Sequence, residues 1–107
     1  MIAVLFEAYA VAERQTRYLE LAAELRPELE KIEGFIAIER FKSLSTDGKI
    51  LSLSWWESED AVLAWKRNVL HQAAQREGQQ TIFARYRIQV AQVIREYSSE
   101  TRNCHHV

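Results

Sequence analysis

Positions 35 to 56 read FIAIERFKSLSTDGKILSLSWW, a pattern that predicts two strands joined by a tight turn. Its first part alternates, and a period of two predicts a strand. One side of that strand carries Phe35, Ala37, Glu39 and Phe41, and the other carries Ile36, Ile38 and Arg40. Ser45-Thr46-Asp47-Gly48 is a strong turn signal, because each of these residue types favours tight turns. The run from Ile50 to Trp56 then returns as the second strand of a hairpin.

A strand and a helix precede this hairpin. The run from Ile2 to Tyr9 is almost wholly apolar and is short enough for a strand. From Ala12 to Ile32, apolar residues recur at steps of three and four, which predicts an amphipathic helix with one apolar stripe. Pro27 lies within that helix, and we expect a kink there because proline removes a backbone donor.

A second helix and a last strand follow the hairpin. Ser58 precedes two acidic residues and is a predicted helix N-cap. The helix is expected to run to Gly78, with Asn68 as a candidate break between two shorter helices. The alternation from Phe83 to Tyr97 predicts a long strand. The order β-α-β-β-α-β predicts an α+β, ferredoxin-like domain, in which a four-stranded antiparallel sheet lies under two helices.

Composition and charge exclude several functional classes. The chain has 107 residues, of which 48% are hydrophobic and 27% charged, and its formal net charge is −1. This composition is typical of one globular domain, and the sequence contains no cluster of Lys and Arg residues of the kind that binds nucleic acid. No apolar run reaches the roughly 20 residues that span a bilayer, so we expect no membrane partner. The start of the chain lacks the basic flank of a signal peptide, which favours a cytoplasmic location.

The predicted sheet has apolar side chains on both faces, most clearly in its first and last strands. Since the helices cover only one face, something must cover the other. A second copy of the chain can cover that face without any additional segment. We therefore expect a homodimer whose two sheets form a barrel-like core. Trp55 points away from Trp56 and belongs to this expected interface. We place the domain at residues 1–97 and a C-terminal tail at residues 98–107.

Four short segments resemble the antibiotic biosynthesis monooxygenase (ABM) family. They are Glu33-Gly34-Phe35 at the entry to the second strand, Ser54–Ala61 (SWWESEDA), Trp65–Asn68 (WKRN) and His71–Gln75 (HQAAQ). The resemblance covers residues 2–97 and implies a dimeric α+β barrel. One branch of that family oxygenates phenolic polyketides with molecular oxygen and with no metal or flavin. A quinol-oxidising branch is similar.

A third branch of the family binds and degrades heme, and this chain departs from its residue pattern. That branch uses an asparagine on the first strand, a tryptophan in the second helical region, and a histidine ten positions later as the iron ligand. The matching positions here are Glu7, Trp65 and Gln75. Glutamine is a poor iron ligand compared with imidazole, although His71 lies one helical turn earlier and could substitute. We therefore expect no cofactor and no resident metal, and we rank heme degradation third.

The expected site lies between the sheet and the helices, because the dimer uses the opposite face. The family correspondence directs Glu7 toward this pocket, on a face shared with Ala3, Leu5 and Tyr9. Aromatic rings with a few polar groups are the usual lining of a small-molecule site. The other members of the expected lining are Trp56 on the face of Ser52 and Ser54, Trp65 on the second helix, and His71 and Gln75, which share one helical face.

Oxygenation without a cofactor needs a base, an apolar cavity and donors for the substrate anion. His71 is a candidate base because imidazole titrates near neutrality, and Glu7 is a second candidate if burial raises its pKa. Trp56 and Trp65 would stack on a planar substrate and donate their N–H groups, and Gln75 would supply a polar contact. Three of them have a structural alternative: Glu7 pairs with Arg40, Arg85 or Arg87, His71 lies partly exposed on the helix, and Trp65 belongs to the core.

The sequence thus favours a cofactor-independent monooxygenase that acts, with molecular oxygen, on a planar phenolic, quinol or polyketide-like substrate. The competing interpretation is a non-catalytic small-molecule-binding or structural dimer of the same fold. An open aromatic pocket would favour the enzyme, and side chains that fill the space would favour the alternative. Cys104-His105-His106 is not expected to bind a metal, since its spacing matches no zinc site.

Overall fold

The computed structural model describes residues 1–10, 12–77 and 85–100. Its elements are β1 (Ile2–Tyr9), α1 (Ala12–Glu30), β2 (Phe35–Lys42), β3 (Lys49–Trp56), α2 (Glu59–Glu77) and β4 (Arg85–Gln92). The strands form one antiparallel sheet in the order β2-β3-β1-β4. The predicted ferredoxin-like order is therefore confirmed. Neither helix in the described ranges combines the length and the apolar character needed to cross a membrane.

The turn between β2 and β3 forms where the sequence predicts it. The Ser43 hydroxyl accepts hydrogen bonds from the backbone N–H groups of Ser45 and Thr46, at 3.2 and 3.0 Å. Gly48 has a φ of +79°, a backbone conformation that glycine adopts at little cost. Its carbonyl accepts a bond from the Ala10 N–H at 3.0 Å, which ties the hairpin to the end of β1.

Both helices begin close to their predicted starts. The Ser58 hydroxyl accepts a bond from the Ala61 N–H at 3.3 Å, which confirms the predicted N-cap of α2. The helix continues to Glu77 without interruption, so the break at Asn68 is wrong. Asparagine is only a mild helix destabiliser, and tertiary packing outweighs that preference. The predicted cap at Gly78 lies outside the described residues.

The last strand is shorter than predicted. It ends at Gln92, so the expected extension to Tyr97 is wrong, while positions 83 and 84 lie outside the described residues. Its pairing partner β1 begins at Ile2, and the final bond of the ladder runs from the Val93 N–H to the Met1 carbonyl at 3.0 Å. Beyond that point no neighbouring strand among the described residues offers backbone partners to the alternating sequence.

Strand register sorts the side chains into two faces. The helix side of β3 carries Ile50, Ser52, Ser54 and Trp56, all of which are buried. Over them lie the apolar stripe of α1 and the first turns of α2, with these core residues: Tyr18, Leu21, Leu25, Leu29, Ala61, Val62 and Trp65. The opposite face, which we call the open face, carries half-buried Leu51, Leu53 and Trp55. The sheet of the single chain is therefore covered on one side.

The irregular register at the start of β2 corrects one detail of the predicted alternation. Phe35 pairs with Trp56 and Ala37 pairs with Trp55, so the strand skips a residue between them. A bulge of this kind reverses the facing of the side chains that precede it. Phe35 consequently lies on the helix side together with Ile38 and Arg40, and not on the face of Ala37 as the simple alternation predicts.

Candidate functional site

Two serines interrupt the apolar core on the helix side of the sheet. Ser52 and Ser54 are the buried polar residues among those that the structure describes, with 6% and 4% of their surface exposed. A buried hydroxyl must find a hydrogen-bond partner, and both do. The Tyr18 hydroxyl from α1 lies 2.8 Å from the Ser52 oxygen, and the Trp56 indole N–H donates to the Ser54 oxygen at 2.9 Å. This layer therefore contains three hydroxyls and one indole N–H within an apolar surrounding.

Trp56 stands at the centre of an aromatic cluster. Its ring centroid lies 5.2 Å from that of Phe35, in an edge-on arrangement, and 5.8 Å from that of Trp65 on α2. Trp56 has no exposed surface, whereas Trp65 retains 9%. The structure thus brings together the two tryptophans that the sequence analysis selected. The Trp56 N–H is already bonded to Ser54, however, so donation to a substrate would require that bond to break.

Glu7 lies on the other face of the sheet, where the expected orientation was wrong. The register places it opposite Leu51 of β3 and Arg87 of β4, on the open face and not under the helices. The physical reason is the strict alternation of β1: Val4 and Ala8 face the helix side, and a residue at an odd position between them faces away. Glu7 therefore does not share a pocket with Trp56 and Trp65.

The pKa of Glu7 also moves in the opposite direction to the one that a catalytic base needs. The Arg87 guanidinium donates two hydrogen bonds to its Oε2, at 3.0 Å from Nε and 2.6 Å from Nη2. The Lys49 Nζ lies 3.5 Å from its Oε1. These contacts, the Arg87 hydrogen bonds foremost, lower the pKa of Glu7 below its ordinary value of 4.5, against an opposing contribution from desolvation. The arginine pairing offered as the structural alternative is confirmed, with Arg87 as the partner.

His71 and Gln75 lie in the C-terminal half of α2, which is helical as predicted. Their side chains fall outside the described residues, and the assignments of base and polar contact remain predictions. The segment Cys104-His105-His106, which is not expected to bind a metal, also lies outside the described ranges. Within those ranges no group of three histidine, cysteine or acidic side chains is placed to hold a metal ion.

Three features of the helix side escaped the sequence analysis. Tyr18 was recognised as part of an apolar stripe, and its bond to Ser52 depends on which turn of α1 lies over β3. Phe6 stacks on Tyr86 across β1 and β4, with ring centroids 5.6 Å apart. Arg40 lies on the helix side of β2, directly opposite Ser52. The available signal was the pair of serines at alternate positions of an otherwise apolar strand, because polar groups in a core require partners.

Comparisons with known proteins agree on the family. The family model for antibiotic biosynthesis monooxygenase matches residues 1–77. A Pyricularia oryzae protein named jasmonate monooxygenase ABM is 42% identical over 93 residues, which cover 87% of this chain and 43% of that protein. The chain thus spans less than half the length of the fungal relative. The Bacillus subtilis protein YqjZ is 31% identical over 94 residues, covering 88% of this chain and 80% of that protein.

Solved structures share the fold at low sequence identity. A Deinococcus radiodurans protein that carries the same family name superposes with a TM-score of 0.76 at 14% identity, covering 92% of this chain and 97% of that one. The heme-degrader MhuD from Mycobacterium tuberculosis, with two hemes bound in its active site, gives 0.72 at 13% identity, covering 92% and 100%. At these identities the likeness shows the fold alone. Because the family model matches residues 1–77, which are most of this chain, the chain belongs to the antibiotic biosynthesis monooxygenase family.

Proposed function

We propose that the protein is a cofactor-independent monooxygenase that acts on a planar phenolic, quinol or polyketide-like substrate. The observation that carries the proposal is the layer under the helices, where the Trp56–Trp65 pair adjoins the hydroxyls of Tyr18, Ser52 and Ser54. Aromatic surface with a few oriented polar groups suits a flat, weakly polar ligand. Membership of the family, and the name of the fungal relative, support oxygenation as the chemistry.

In this reaction the substrate supplies the electrons. Removal of a proton from a phenol or an activated CH₂ gives an electron-rich anion that reacts with molecular oxygen. For conversion of an activated CH₂ to a carbonyl, one oxygen atom enters the product and the other leaves as water together with the two hydrogens. The protein must supply a base, a dry apolar site and donors that stabilise the anion.

We assign the base to His71 and not to Glu7. Glu7 is held as a carboxylate by Arg87 and Lys49, and it lies on the face away from the tryptophans. A base whose pKa is lowered below 4.5 has little driving force to take a proton from a phenol near neutral pH. We further propose that Trp65 and Gln75 contact the substrate, and that Trp56 supports Trp65 from behind.

The open face of the sheet supports the proposed homodimer. It carries the half-buried side chains of Leu51, Leu53 and Trp55, and Phe41 beside them is 43% exposed. A contiguous apolar surface of this kind favours association, and a two-fold interface covers both copies at once. Leu53→Glu should therefore yield a monomer by analytical ultracentrifugation. Thr16→Glu, on the exposed surface of α1, should leave the assembly unchanged.

One observation favours the second candidate function, a binding or structural dimer without catalysis. Trp56 is wholly buried, its ring contacts two other aromatic rings, and its N–H already has a partner. A side chain in this state is typical of a core residue. Under this alternative the aromatic layer stabilises the fold and no substrate is oxidised.

Oxygen consumption distinguishes the two candidates. Purified, chelator-treated protein is assayed against quinols and hydroxylated anthrones, with His71→Ala and, as a matched control in the tail, His105→Ala. The proposal predicts uptake above the uncatalysed rate, a loss of about 100-fold or more in His71→Ala, and wild-type uptake in His105→Ala. Uptake that stays at the uncatalysed rate throughout the series would contradict the proposed enzyme and favour the non-catalytic dimer.

A further inference from the structure

Arg40 is a charged residue on the helix side of the sheet for which the described residues offer no hydrogen-bonding or ion-pair partner. It lies on β2 directly opposite Ser52, and its side chain is half-buried. Its Nε atom is buried and makes no hydrogen bond. Burying part of a guanidinium without a partner lowers stability. Arg40 in this state therefore indicates a role other than stabilising the fold.

No acidic side chain in the described ranges neutralises Arg40. The carboxylates that form ion pairs there are bound to other cations, as Glu7 is to Arg87 and Lys49. The neighbouring Glu39 pairs with Leu53 and therefore lies on the open face. The helix side around Arg40 thus carries an uncompensated positive charge.

Two hydroxyls lie in the same layer as this charge. The backbone pairs place Arg40, Ser52 and Phe6 in one row across three neighbouring strands. Ser52 is therefore about 5 Å from Arg40 between the backbones, and Phe6 is about 10 Å away. The Tyr18 hydroxyl joins this row from above through its 2.8 Å bond to Ser52. The Arg40 guanidinium and the Ser52 hydroxyl thus lie toward one end of the row, and an aromatic ring, stacked on Tyr86, lies at the other.

We infer that Arg40, with the Ser52 hydroxyl that Tyr18 orients, binds the carboxylate of an acidic substrate whose apolar ring lies toward Phe6 and Tyr86. The guanidinium fork matches a planar carboxylate, and a single uncompensated cation matches a single negative charge. This inference rests on the proposed function, since it assigns the substrate class of the same helix-side layer, and it places the substrate's ring in the row of Ser52, four residues along β3 from Trp56. It adds a charged end to a substrate that the aromatic layer alone describes only as flat and apolar.

Matched acid and ester pairs test the inference. Binding of jasmonic acid against methyl jasmonate, and of anthracene-2-carboxylic acid against its methyl ester, is measured by titration calorimetry at pH 7 and fixed ionic strength. The wild-type protein should bind each acid about 10-fold or more tightly than its ester, the size expected of a hydrogen-bonded charge. Arg40→Met should remove this preference, and Arg40→Lys should keep part of it. The control Lys42→Met removes the same charge from an exposed position of the same strand and should keep the full preference.

A stability measurement separates a binding role from a structural one. Because Arg40 has no partner to lose, Arg40→Met should melt at the wild-type temperature or above it in the absence of ligand. Melting well below the wild-type temperature would assign Arg40 to the fold and overturn the inference. Equal binding of acid and ester by the wild-type protein, no binding of either acid, or an acid preference that survives Arg40→Met would overturn it as well.

Oxygen uptake, measured on the same preparations, keeps this inference separate from the proposed function. Uptake with neutral quinols but no acid preference would overturn the carboxylate site and leave the monooxygenase. An acid preference that depends on Arg40, without uptake on any substrate, would establish the carboxylate site and contradict the proposed reaction.

Discussion

Removal of the Ser54 hydroxyl is the perturbation whose cost follows most directly from the structure. The Trp56 N–H donates to that oxygen at 2.9 Å, and Trp56 has no exposed surface through which water could replace it. Ser54→Ala therefore leaves a buried donor without a partner, which costs about 1–3 kcal/mol in the free energy of unfolding. For a domain of this size, each kcal/mol lowers the melting temperature by roughly 4–8 °C.

A double-mutant cycle isolates the hydrogen bond from other effects of the substitution. Phenylalanine at position 56 has no N–H, so Ser54→Ala should cost close to nothing in a Trp56→Phe background. The coupling energy between the two changes should then be about 1–3 kcal/mol. Urea unfolding followed by circular dichroism measures it, at one fixed protein concentration because dimerisation would add to the apparent stability.

The control for this cycle is a second serine, at an exposed position. Ser45→Ala, at an exposed position in the β2–β3 turn, should change the free energy of unfolding by no more than about 0.5 kcal/mol. If Ser54→Ala costs the same with tryptophan and with phenylalanine at position 56, the hydrogen bond is not the source of the stability. The assignment of the Ser54 oxygen as the stabilising partner of the Trp56 N–H would then be refuted.

Three further predictions concern the ion pairs of Glu7, the glycine at position 34 and the N-cap of α2. Glu7→Gln should lower stability at neutral pH, and its deficit relative to wild type should shrink as pH falls below 4.5. A carboxylate whose pKa is lowered by Arg87 stabilises the fold above its unfolded pKa and loses that effect on protonation, and acid titration of stability is the readout. Gly34→Ala should cost at least about 1 kcal/mol by thermal melting, since φ there is +94° and an added Cβ would meet the Ala61 Cβ at 2.7 Å; an unchanged melting temperature would contradict that geometry. Ser58→Ala should cost about 1 kcal/mol by urea unfolding, as loss of an N-cap does, and Ser58→Gly should cost less.

Local sequence signals predicted the order of the elements because each signal acts over a few residues. The Ser45–Gly48 turn, the Ser58 cap and the stripe of α1 all depend on neighbours in the chain, and the structure confirms them. The end of β4 could not be predicted from such local signals. It depends on where its partner β1 begins, which is a property of the assembled sheet.

The candidate site was predicted in its aromatic part and missed in its polar part. Trp56 and Trp65 meet because two regular elements converge at the point where the chain enters α2. The facing of Glu7 was taken from a family correspondence, and a shift of one residue in such a correspondence reverses the face of a strand side chain. Alternation grouped Arg40 with Ile38 on one side of β2, but that this side faces the helices and lies opposite Ser52 required the register of the β2–β3 pair.

Isotope labelling of the product shows whether the protein oxygenates its substrate without a cofactor. Chelator-treated protein is incubated under ¹⁸O₂ with each quinol and hydroxylated anthrone that supports oxygen uptake, and the product is analysed by mass spectrometry. Oxygenation without a cofactor predicts one labelled oxygen atom per product molecule, formed in proportion to protein and not increased by added metal or flavin. Products that carry no label, or labelling that appears only when metal or flavin is added, would contradict it.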